Sequence, residues 1–233
     1  MQISPLDTSG RSGNVWVVLV AAGQGDRLGA DRPKAFVRLG ERVLLAEPLE
    51  RLEASDWIDA IVLVAPEGWE EPAILLAEEL ACSKVAACVT GGATRAESVR
   101  IGVAEVPEDA AVTLVHDAAR PLLQEHVLER VIQALGEGFD GAVPTLPIAD
   151  TVKRVDDGAV VETVAREGLH LAQTPQAFVA GVLRAALAGD VGDASDCSLL
   201  VERRGGRVRI VEGDRRMLKV TDRADLELVQ AWL

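Results

Sequence analysis

Two cations follow an apolar strand and a loop of small residues near the start of the chain. The segment from Val17 to Gly29 reads VVLVAAGQGDRLG, so the strand runs into a loop with few large side chains. Small residues let the backbone come close to a ligand. Arg27 and Lys34 lie just beyond the glycines and carry positive charge of the kind that holds phosphates. The pattern predicts the mouth of a nucleotide site.

The glycines of this loop do not complete a dinucleotide-binding fingerprint. Gly23 and Gly25 match its first two positions, but Leu28 stands where the third glycine belongs. This departure argues against NAD. A plain tight turn and a phosphate-facing loop both remain open on loop chemistry alone, and the two cations favour the phosphate-facing loop.

Polar residues also close two later apolar stretches. Asp117 ends the stretch Ala111–His116 and is either a turn former or a carboxylate that holds Mg²⁺ together with substrate phosphates. His116 is expected to be structural, with its ring packed beneath the site. Lys219 lies between apolar residues on a short extended segment, where the ordinary interpretation is a lysine on an edge strand.

The overall composition excludes some classes of function and location. A formal net charge of −13 argues against a nucleic-acid-binding protein, although a local cationic pocket is compatible with it. The three cysteines show no Cys-x-x-Cys spacing and predict unpaired thiols in a reducing compartment. Residues 1–14 are polar, carry no secretory signal and are expected to form a flexible tail. The apolar run Val15–Ala22 is too short to span a membrane, so we expect a cytoplasmic protein.

Strands and helices alternate along most of the chain. Apolar strands are predicted at 15–21, 60–65, 84–89, 111–116 and from 141, with helices at 43–52, 70–81, 94–105 and 125–135. Apolar strands separated by helices indicate a parallel sheet covered on both faces. We therefore expect an α/β fold, a single-domain, doubly wound, mostly parallel Rossmann-like sheet over residues 15–233. Ligands of such sheets bind beyond the carboxyl ends of the strands, where the polar residues described above fall.

The pattern changes after Pro147. Residues 151–155 and 159–163 alternate in polarity around Asp156-Asp157-Gly158, which predicts a protruding β-hairpin. A two-stranded hairpin is marginally stable alone in water, so it must pack on its own domain or reach a second subunit. For the rest of the chain the pattern predicts helices at 176–187, 195–203 and 222–232, a strand at 207–211 and a short extended strand at 217–220, which carries Lys219.

Seven short motifs occur in a fixed order along the chain. They are Ala21-Ala22-Gly23-x-Gly25-x-Arg27, Pro33-Lys34-Ala35-Phe36, Gly91-Gly92-x-x-Arg95-x-x-Ser98-Val99, Val115-His116-Asp117-Ala118-Ala119-Arg120-Pro121, Asp150-Thr151-Val152-Lys153, Gln173-Thr174-Pro175-Gln176 and Lys219-Val220-Thr221. Together they resemble the motifs of the 2-C-methyl-D-erythritol 4-phosphate cytidylyltransferases of the non-mevalonate isoprenoid pathway. The resemblance spans about Val15 to Leu233.

The resemblance implies an enzyme that transfers the cytidylyl group of CTP to 2-C-methyl-D-erythritol 4-phosphate and releases pyrophosphate, with Mg²⁺ as cofactor. It also implies that the catalytic cations are Arg27, Lys34 and Lys219. The nucleotide is expected on Ala21, Ala22, Gly23, Gly25, Gly92, Ser98, Asp117 and Ala118. The polyol phosphate is expected on Asp117, Arg120, Thr151, Arg166, Thr174 and Ser195. The metal ion is expected on Asp117.

The resemblance further implies a homodimer. Residues 146–169 would form an arm that crosses to a second subunit, so that Thr151 and Arg166 serve the neighbour's site. Some positions depart from the family pattern, namely Val20, Ala93, Ser195 and Cys197. The departure at Cys197, where the family has an acidic residue, leaves the polar network around Asp196 open.

Other functions are compatible with part of these motifs. A cytidylyltransferase for another polyol phosphate, such as ribitol 5-phosphate, would share the CTP half, and only the substrate half distinguishes it. A non-catalytic nucleotide-binding regulator on the same fold is a second alternative. Against the regulator stand four retained charged residues that mere binding does not need, namely Arg27, Lys34, Asp117 and Lys219. An NAD-linked dehydrogenase is a remote third, disfavoured by Leu28.

Overall fold

A central eight-stranded sheet organises the part of the chain that the computed structural model describes, residues 14–25, 28–29, 31–192 and 194–233. The strands in chain order are β1 (Val15–Val20), β2 (Arg38–Leu39), β3 (Arg42–Val43), β4 (Ala60–Ala65), β5 (Val85–Thr90), β6 (Val112–Asp117), β7 (Gly141–Pro147), β8 (Val152–Asp156), β9 (Ala159–Val164), β10 (His170–Ala172), β11 (Gln176–Val179) and β12 (Val208–Glu212). The helices are α1 (Ala46–Ala54), α2 (Glu70–Glu79), α3 (Arg95–Ala104), α4 (Glu125–Gly136), α5 (Ala180–Leu187), α6 (Cys197–Glu202) and α7 (Arg223–Ala231).

The strand order of the central sheet is β10-β7-β11-β6-β1-β4-β5, and β12 pairs with β7. The strands β1, β4, β5 and β6 run parallel, with Val20 of β1 beside Val64 of β4 and Asp117 of β6. The strands β10 and β11 run antiparallel to their partners. The order reverses at β1, because β4 and β5 extend the sheet on one side and β6 on the other. The prediction of a doubly wound, mostly parallel Rossmann-like sheet is confirmed.

Each face of the sheet is covered by helices. Successive side chains of a strand point to opposite faces, so Val17 and Leu19 of β1 pack with α1, α2 and α4, whereas Val18 packs with α3, α5 and α6. These three side chains are fully buried. Full burial of a side chain of this size stabilises the fold by about 1.5–3 kcal/mol. The apolar run of β1 therefore determines its central place in the sheet.

Two sequence predictions about the second half of the chain are wrong. Gln176–Val179 form β11 instead of the first turn of a helix, and α5 begins at Ala180. The tertiary structure overrides the helical pattern there, because the four residues fill the space between β6 and β7 and pair with both strands. Residues 217–220 form no strand. A turn over residues 214–217 leads into them, in which the Met217 N–H donates to the Asp214 carbonyl at 3.0 Å.

The connection from β1 to α1 contains short elements that the pattern did not predict. A 3-10 helix spans Lys34–Phe36, and β2 and β3 pair as a small antiparallel ribbon. As a result α1 begins at Ala46 rather than at residue 43. The 3-10 helix is held in place by the Phe36 ring, whose centroid lies 4.5 Å from that of Trp69. These contacts determine the position of Lys34.

The predicted hairpin is confirmed as β8 and β9, which form a sheet separate from the central one. Asp156 pairs with Ala159, and the two residues between them, Asp157 and Gly158, have φ of 43° and 75°. Two successive positive φ values are typical of the type I′ turn that joins tightly paired strands. Both strands are largely exposed.

The structure bears on the predicted N-terminal tail and on the question of a membrane span. Of the tail predicted at 1–14, residues 1–13 lie outside the described residues. Across the described ranges, no helix has the length and apolar character needed to cross a membrane.

Candidate functional site

A cavity of about 600 Å³ opens at the carboxyl ends of β1, β4, β5 and β6, beside the point where the strand order reverses. The residues that line it follow these strands or come from the loops before α1 and α7. Many of the residues predicted from the sequence line this cavity, namely Ala21, Ala22, Gly23, Lys34, Gly92, Ser98, Asp117, Ala118 and Lys219. The cavity thus brings together positions far apart in the chain.

Asp117 is the anionic centre of this cavity. Its Oδ1 accepts a hydrogen bond from Arg95 Nε at 2.8 Å, and its Oδ2 accepts one from Lys219 Nζ at 2.7 Å. Burial acts to raise the pKa of the carboxyl group, but the two cations outweigh it and hold this pKa well below the usual range. Asp117 is therefore ionised at neutral pH and holds Lys219 at the edge of the cavity.

Arg95 is a site residue to which the sequence interpretation gave no role. It is the first residue of α3, and its guanidinium is largely buried beside Asp117. Burial acts to lower its pKa, but the Asp117 carboxylate raises this pKa above the usual value. Its Nη1 lies 3.8 Å from Cys197 Sγ. The sequence feature that could have identified Arg95 as a site residue is its position in the glycine motif, three residues before Ser98.

The loop that follows β5 is held by side chains of α3. Ser98 Oγ accepts a hydrogen bond from the Gly92 N–H at 3.1 Å and donates one to the Thr94 carbonyl at 2.9 Å. Thr94 and Glu97 form a capping box at the start of the helix. The hydroxyl of Ser98 therefore fixes the loop, whose small residues Gly91, Gly92 and Ala93 line the cavity.

Gly25, predicted to contact the nucleotide, packs against Lys34 instead. It does not line the cavity; its φ is +80°, and a Cβ added there would lie 2.9 Å from Lys34 Cβ. The absence of a side chain thus lets the loop after β1 close against Lys34, whose N–H donates to the Gly23 carbonyl at 3.2 Å. Lys34 Nζ donates to the Val220 carbonyl at 3.1 Å. The predicted catalytic Arg27 lies outside the described residues.

A chain of hydrogen bonds runs beneath the cavity and includes His116, which is fully buried as expected. The Asp117 N–H donates to Thr174 Oγ1 at 3.0 Å, Thr174 Oγ1 lies 3.1 Å from His116 Nδ1, and His116 Nε2 lies 3.1 Å from the Arg120 carbonyl. Since a carbonyl only accepts, Nε2 carries the hydrogen and Nδ1 accepts the hydroxyl hydrogen. Burial lowers the pKa of His116 to about 4, so the ring is neutral.

The residues expected to bind the polyol phosphate are not gathered in one place. The Thr174 hydroxyl is buried and engaged in the chain just described. Arg120 donates from Nη1 to the Met217 carbonyl at 2.8 Å and from Nη2 to the Ala172 carbonyl at 3.2 Å. Ser195 is exposed just before α6. None of these three lines the cavity.

Thr151 and Arg166 lie at the base of the hairpin and are exposed. Arg166 donates from Nη1 to the Ala149 carbonyl. Neither residue lines the cavity of its own chain. The structure of the single chain therefore does not bring these two predicted residues to the cavity.

The donor chemistry of the cavity suits a metal ion that arrives with phosphates. Among the described residues, no group of three or more His, Cys, Asp or Glu side chains is placed to hold a metal. Asp117 and Glu67 contribute the carboxylates of the lining. Mg²⁺ is commonly held by one or two carboxylates, with substrate phosphates and water as the other ligands. Each Asp117 oxygen accepts one N–H and retains a further lone pair.

Comparisons with known proteins agree with this geometry. The family model described as 2-C-methyl-D-erythritol 4-phosphate cytidylyltransferase matches residues 15–233. The enzyme of that name from Nocardia farcinica is 42% identical over 98% of this chain and 97% of its own length. The one from Neisseria gonorrhoeae is 40% identical over 93% of this chain and 96% of its own.

Solved structures are similar over nearly the whole chain. The 2-C-methyl-D-erythritol 4-phosphate cytidylyltransferase of Francisella tularensis has a TM-score of 0.80 and 27% identity, covering 94% of this chain and 100% of that one. The Thermus thermophilus structure of the same name has a TM-score of 0.75 and 32% identity, covering 92% and 96%.

Proposed function

The chain belongs to the 2-C-methyl-D-erythritol 4-phosphate cytidylyltransferase family, and on that premise we propose that it transfers the cytidylyl group of CTP to 2-C-methyl-D-erythritol 4-phosphate. The products are 4-diphosphocytidyl-2-C-methyl-D-erythritol and pyrophosphate. The observation that carries this proposal in the structure is the cluster of Lys34, Lys219, Arg95 and Asp117 beside a loop of small residues. A nucleoside triphosphate and a polyol phosphate are both anionic, and the three cations of this cluster provide the opposite charge.

The reaction is an in-line displacement at phosphorus. An oxygen of the substrate phosphate forms a bond to the α-phosphorus of CTP, and the bond from that phosphorus to the bridging oxygen of the β-phosphate breaks. Pyrophosphate leaves with the bonding electron pair. No general base is required, because a phosphate monoester has its second pKa at about 6 and is largely ionised at neutral pH. Catalysis then consists of positioning and of neutralising charge.

Three cations are proposed to perform that neutralisation, namely Arg27, Lys34 and Lys219. Lys34 and Lys219 both line the cavity. Lys34 Nζ also donates to the carbonyl of Val220, the residue that follows Lys219. Bringing two anions together is the main electrostatic obstacle of the reaction. Fixed cations at the site lower it without reorganising water.

The nucleotide is proposed to bind on the small residues of the cavity and the loop beside it, namely Ala21, Ala22, Gly23, Gly25, Gly92, Ser98, Asp117 and Ala118. Asp117 is proposed to hold Mg²⁺ together with the CTP phosphates. When bound, the ion would neutralise phosphate charge and orient the triphosphate. Since Arg95 and Lys219 already form ion pairs with Asp117, the metal is expected to enter with the nucleotide rather than before it.

The polyol phosphate is proposed to bind on Asp117, Arg120, Thr151, Arg166, Thr174 and Ser195. Since Thr151 and Arg166 lie on the exposed hairpin, we assign them to the site of a second subunit, in a homodimer formed through the arm 146–169. The exposed valines of the arm support this assignment. Val155 and Val160 are paired across its two strands and are 57% and 60% exposed, an arrangement typical of an apolar contact surface.

The experiment that tests the proposed function is an assay of pyrophosphate release with CTP and Mg²⁺. We expect release with 2-C-methyl-D-erythritol 4-phosphate and at least tenfold less, as kcat/KM, with ribitol 5-phosphate, since a pocket that hydrogen-bonds hydroxyl groups rejects a mismatched polyol strongly. Faster release with ribitol 5-phosphate would make that compound the substrate. No release with either would favour a nucleotide-binding regulator.

A further inference from the structure

Buried side chains of one short segment each hold the backbone of a different part of the site. The segment is Gln173-Thr174-Pro175-Gln176, which leads from β10 into β11 and is here called the 173–176 hub. Its two glutamines and its threonine are 4% exposed or less. Thr174 holds the end of β6, since its Oγ1 accepts from the Asp117 N–H at 3.0 Å.

Gln176 holds the start of α6. Its Nε2 donates to Asp196 Oδ2 at 3.0 Å, and its Oε1 accepts from the Cys197 N–H at 3.1 Å. Asp196 is the N-cap of α6, because its side chain accepts from the Leu199 N–H. The amide of Gln176 therefore orders the segment that follows Ser195.

Gln173 holds the turn that precedes Lys219. Its Oε1 accepts from the Asp214 N–H at 3.0 Å, and its Nε2 donates to the Asp214 carbonyl at 2.9 Å. The amide thus pairs with both backbone groups of one residue, as a neighbouring strand would. The Gln173 backbone is itself anchored, since its N–H donates to the Pro144 carbonyl of β7 at 2.7 Å.

The segment from the Asp214 turn to Lys219 has no regular structure of its own. Beyond the turn, the fully buried Met217 and the Val220 N–H, which donates to the Ala119 carbonyl at 2.8 Å, attach it to the domain. The fit against the amide is tight, because a Cβ added at Gly213 would lie 2.2 Å from Gln173 Oε1. Lys219 then reaches Asp117 at 2.7 Å.

We propose that Gln173 is a positioning residue for Lys219. The Gln173 amide supplies the pair of hydrogen bonds that a neighbouring strand would give and so fixes the turn that begins at Asp214. That turn places the Lys219 ammonium beside Asp117 and the reacting phosphates. The proposal rests on the proposed role of Lys219. Its counterpart in the same hub, Gln176, acts on the start of α6 and not on Lys219.

A double-mutant cycle on kcat tests this assignment, with wild-type turnover measured first. Displacing a catalytic group by about 1 Å costs on the order of 10²-fold in rate, so Gln173→Leu is expected to lower kcat by about that factor. In a Lys219→Ala background, the same substitution is expected to cost less than about threefold, because the group it positions is gone. Gln176→Leu is the matched control and is expected to cost the same factor in both backgrounds. An equal cost of Gln173→Leu in both backgrounds overturns the proposal.

Hydrogen exchange supplies a readout that does not depend on activity. Gln173→Leu is expected to speed exchange of the Asp214 and Val220 amides, whereas Gln176→Leu should speed exchange of Cys197. If Gln173→Leu does not fold, Gly213→Ala displaces the same amide and should give the same pattern. Unchanged exchange over 214–220 overturns the proposal. Full turnover of Lys219→Ala would instead remove the proposed role of Lys219, and exchange would still show whether Gln173 positions the segment.

Discussion

Asp117 connects the charged residues of the site. A single buried carboxylate holds Arg95 from α3 and Lys219 from the loop before α7, at 2.8 and 2.7 Å. Without these partners the carboxylate would be an isolated charge in a poorly solvated place, which is strongly unfavourable. The ion pairs therefore keep Asp117 ionised and place a lysine beside the cavity.

Lys34→Ala is expected to fold normally and to lose turnover by on the order of 10²–10³-fold, as removal of an oxyanion-hole donor does. Pyrophosphate release measures the turnover, and urea unfolding measures the stability. Lys84→Ala is the matched control, because Lys84 Nζ also donates to a backbone carbonyl, that of Ser55, and does not line the cavity. Near-wild-type turnover of Lys34→Ala would contradict its catalytic role.

Arg95→Leu is expected to lower the free energy of unfolding by on the order of 3 kcal/mol, because it leaves the buried Asp117 with one of its two cations. The comparison variant is Arg223→Leu, which breaks an exposed pair with Glu227 on α7 and should cost about 0.5 kcal/mol or less. Urea unfolding at pH 7 measures both. Equal losses for the two variants would show that burial does not strengthen the Arg95 pair.

His116 predicts a dependence of stability on pH. Its pKa is about 4 in the folded protein and about 6.5 in the unfolded chain. The unfolded state therefore takes up the proton first as the pH falls below about 6.5, and stability decreases until the folded ring also titrates near pH 4. From pH 7 to pH 5 this group should cost on the order of 2 kcal/mol.

His116→Gln has no titrating ring at this position. The loss of unfolding free energy between pH 7 and pH 5 should therefore be smaller in this variant than in the wild type, by about the amount assigned to His116. Urea unfolding at the two pH values measures the difference. The same loss in both proteins would mean that His116 does not cause it.

Among the elements, the strands carry the carboxylate, whereas short irregular segments carry the lysines. Asp117 is the last residue of β6, Lys34 begins a 3-10 helix, and Lys219 lies in a segment without regular structure. A strand end is held by the ladder on both sides. An irregular segment needs side-chain contacts instead, such as those of Gln173 with the Asp214 backbone.

The hairpin β8–β9 carries a prediction about assembly. Val155 and Val160 face solvent as a cross-strand pair, and burying such side chains in a dimer would contribute about 1.5–3 kcal/mol each. The double variant Val155→Asp with Val160→Asp should sediment as a monomer and lose most activity, since Thr151 and Arg166 would no longer reach a second site. Ile210→Asp, at a 57% exposed position on β12, is the control. A monomeric wild-type protein in sedimentation would contradict the proposed dimer.

Considered as a whole, the molecule is strongly acidic and has a cationic cavity. The net charge is −13, yet Lys34, Arg95 and Lys219 all line the cavity. A local cluster of this kind can attract an anionic ligand despite the overall charge. Because the Asp117 carboxylate is already paired with Arg95 and Lys219, we expect the same cavity to be unfavourable for a metal ion alone.

CTP with Mg²⁺ is accordingly expected to raise the melting temperature, and Mg²⁺ alone is not. Ligand at about 100 times its Kd stabilises the folded state by about 2.7 kcal/mol, which corresponds to roughly 5–10 °C for a chain of this size. Differential scanning fluorimetry measures the shifts under three conditions, with Mg²⁺ alone, with CTP plus EDTA, and with CTP plus Mg²⁺. An equal shift from Mg²⁺ alone would indicate a metal site formed without the nucleotide.

Much of the architecture could be predicted from the sequence because it depends on local patterns. The central strands, the hairpin with its Asp157-Gly158 turn and the placement of the polar residues at one sheet edge follow from apolar runs and turn residues. The prediction was wrong for Gln176–Val179, where pairing with β6 and β7 overrode a helical pattern, and for 217–220, which side-chain contacts hold without a strand.

The sequence by itself determined the family, the parallel strands at the centre of the sheet and many of the residues that line the cavity, since these follow from motifs and from the periodicity of side chains. Only the tertiary structure decided which partners these residues have. Arg95 and Lys219 meet Asp117 from 22 and 102 residues away, and Gln173 holds Asp214 from 41 residues away. No local pattern encodes such pairs, because a contact between distant positions depends on how all the elements between them pack.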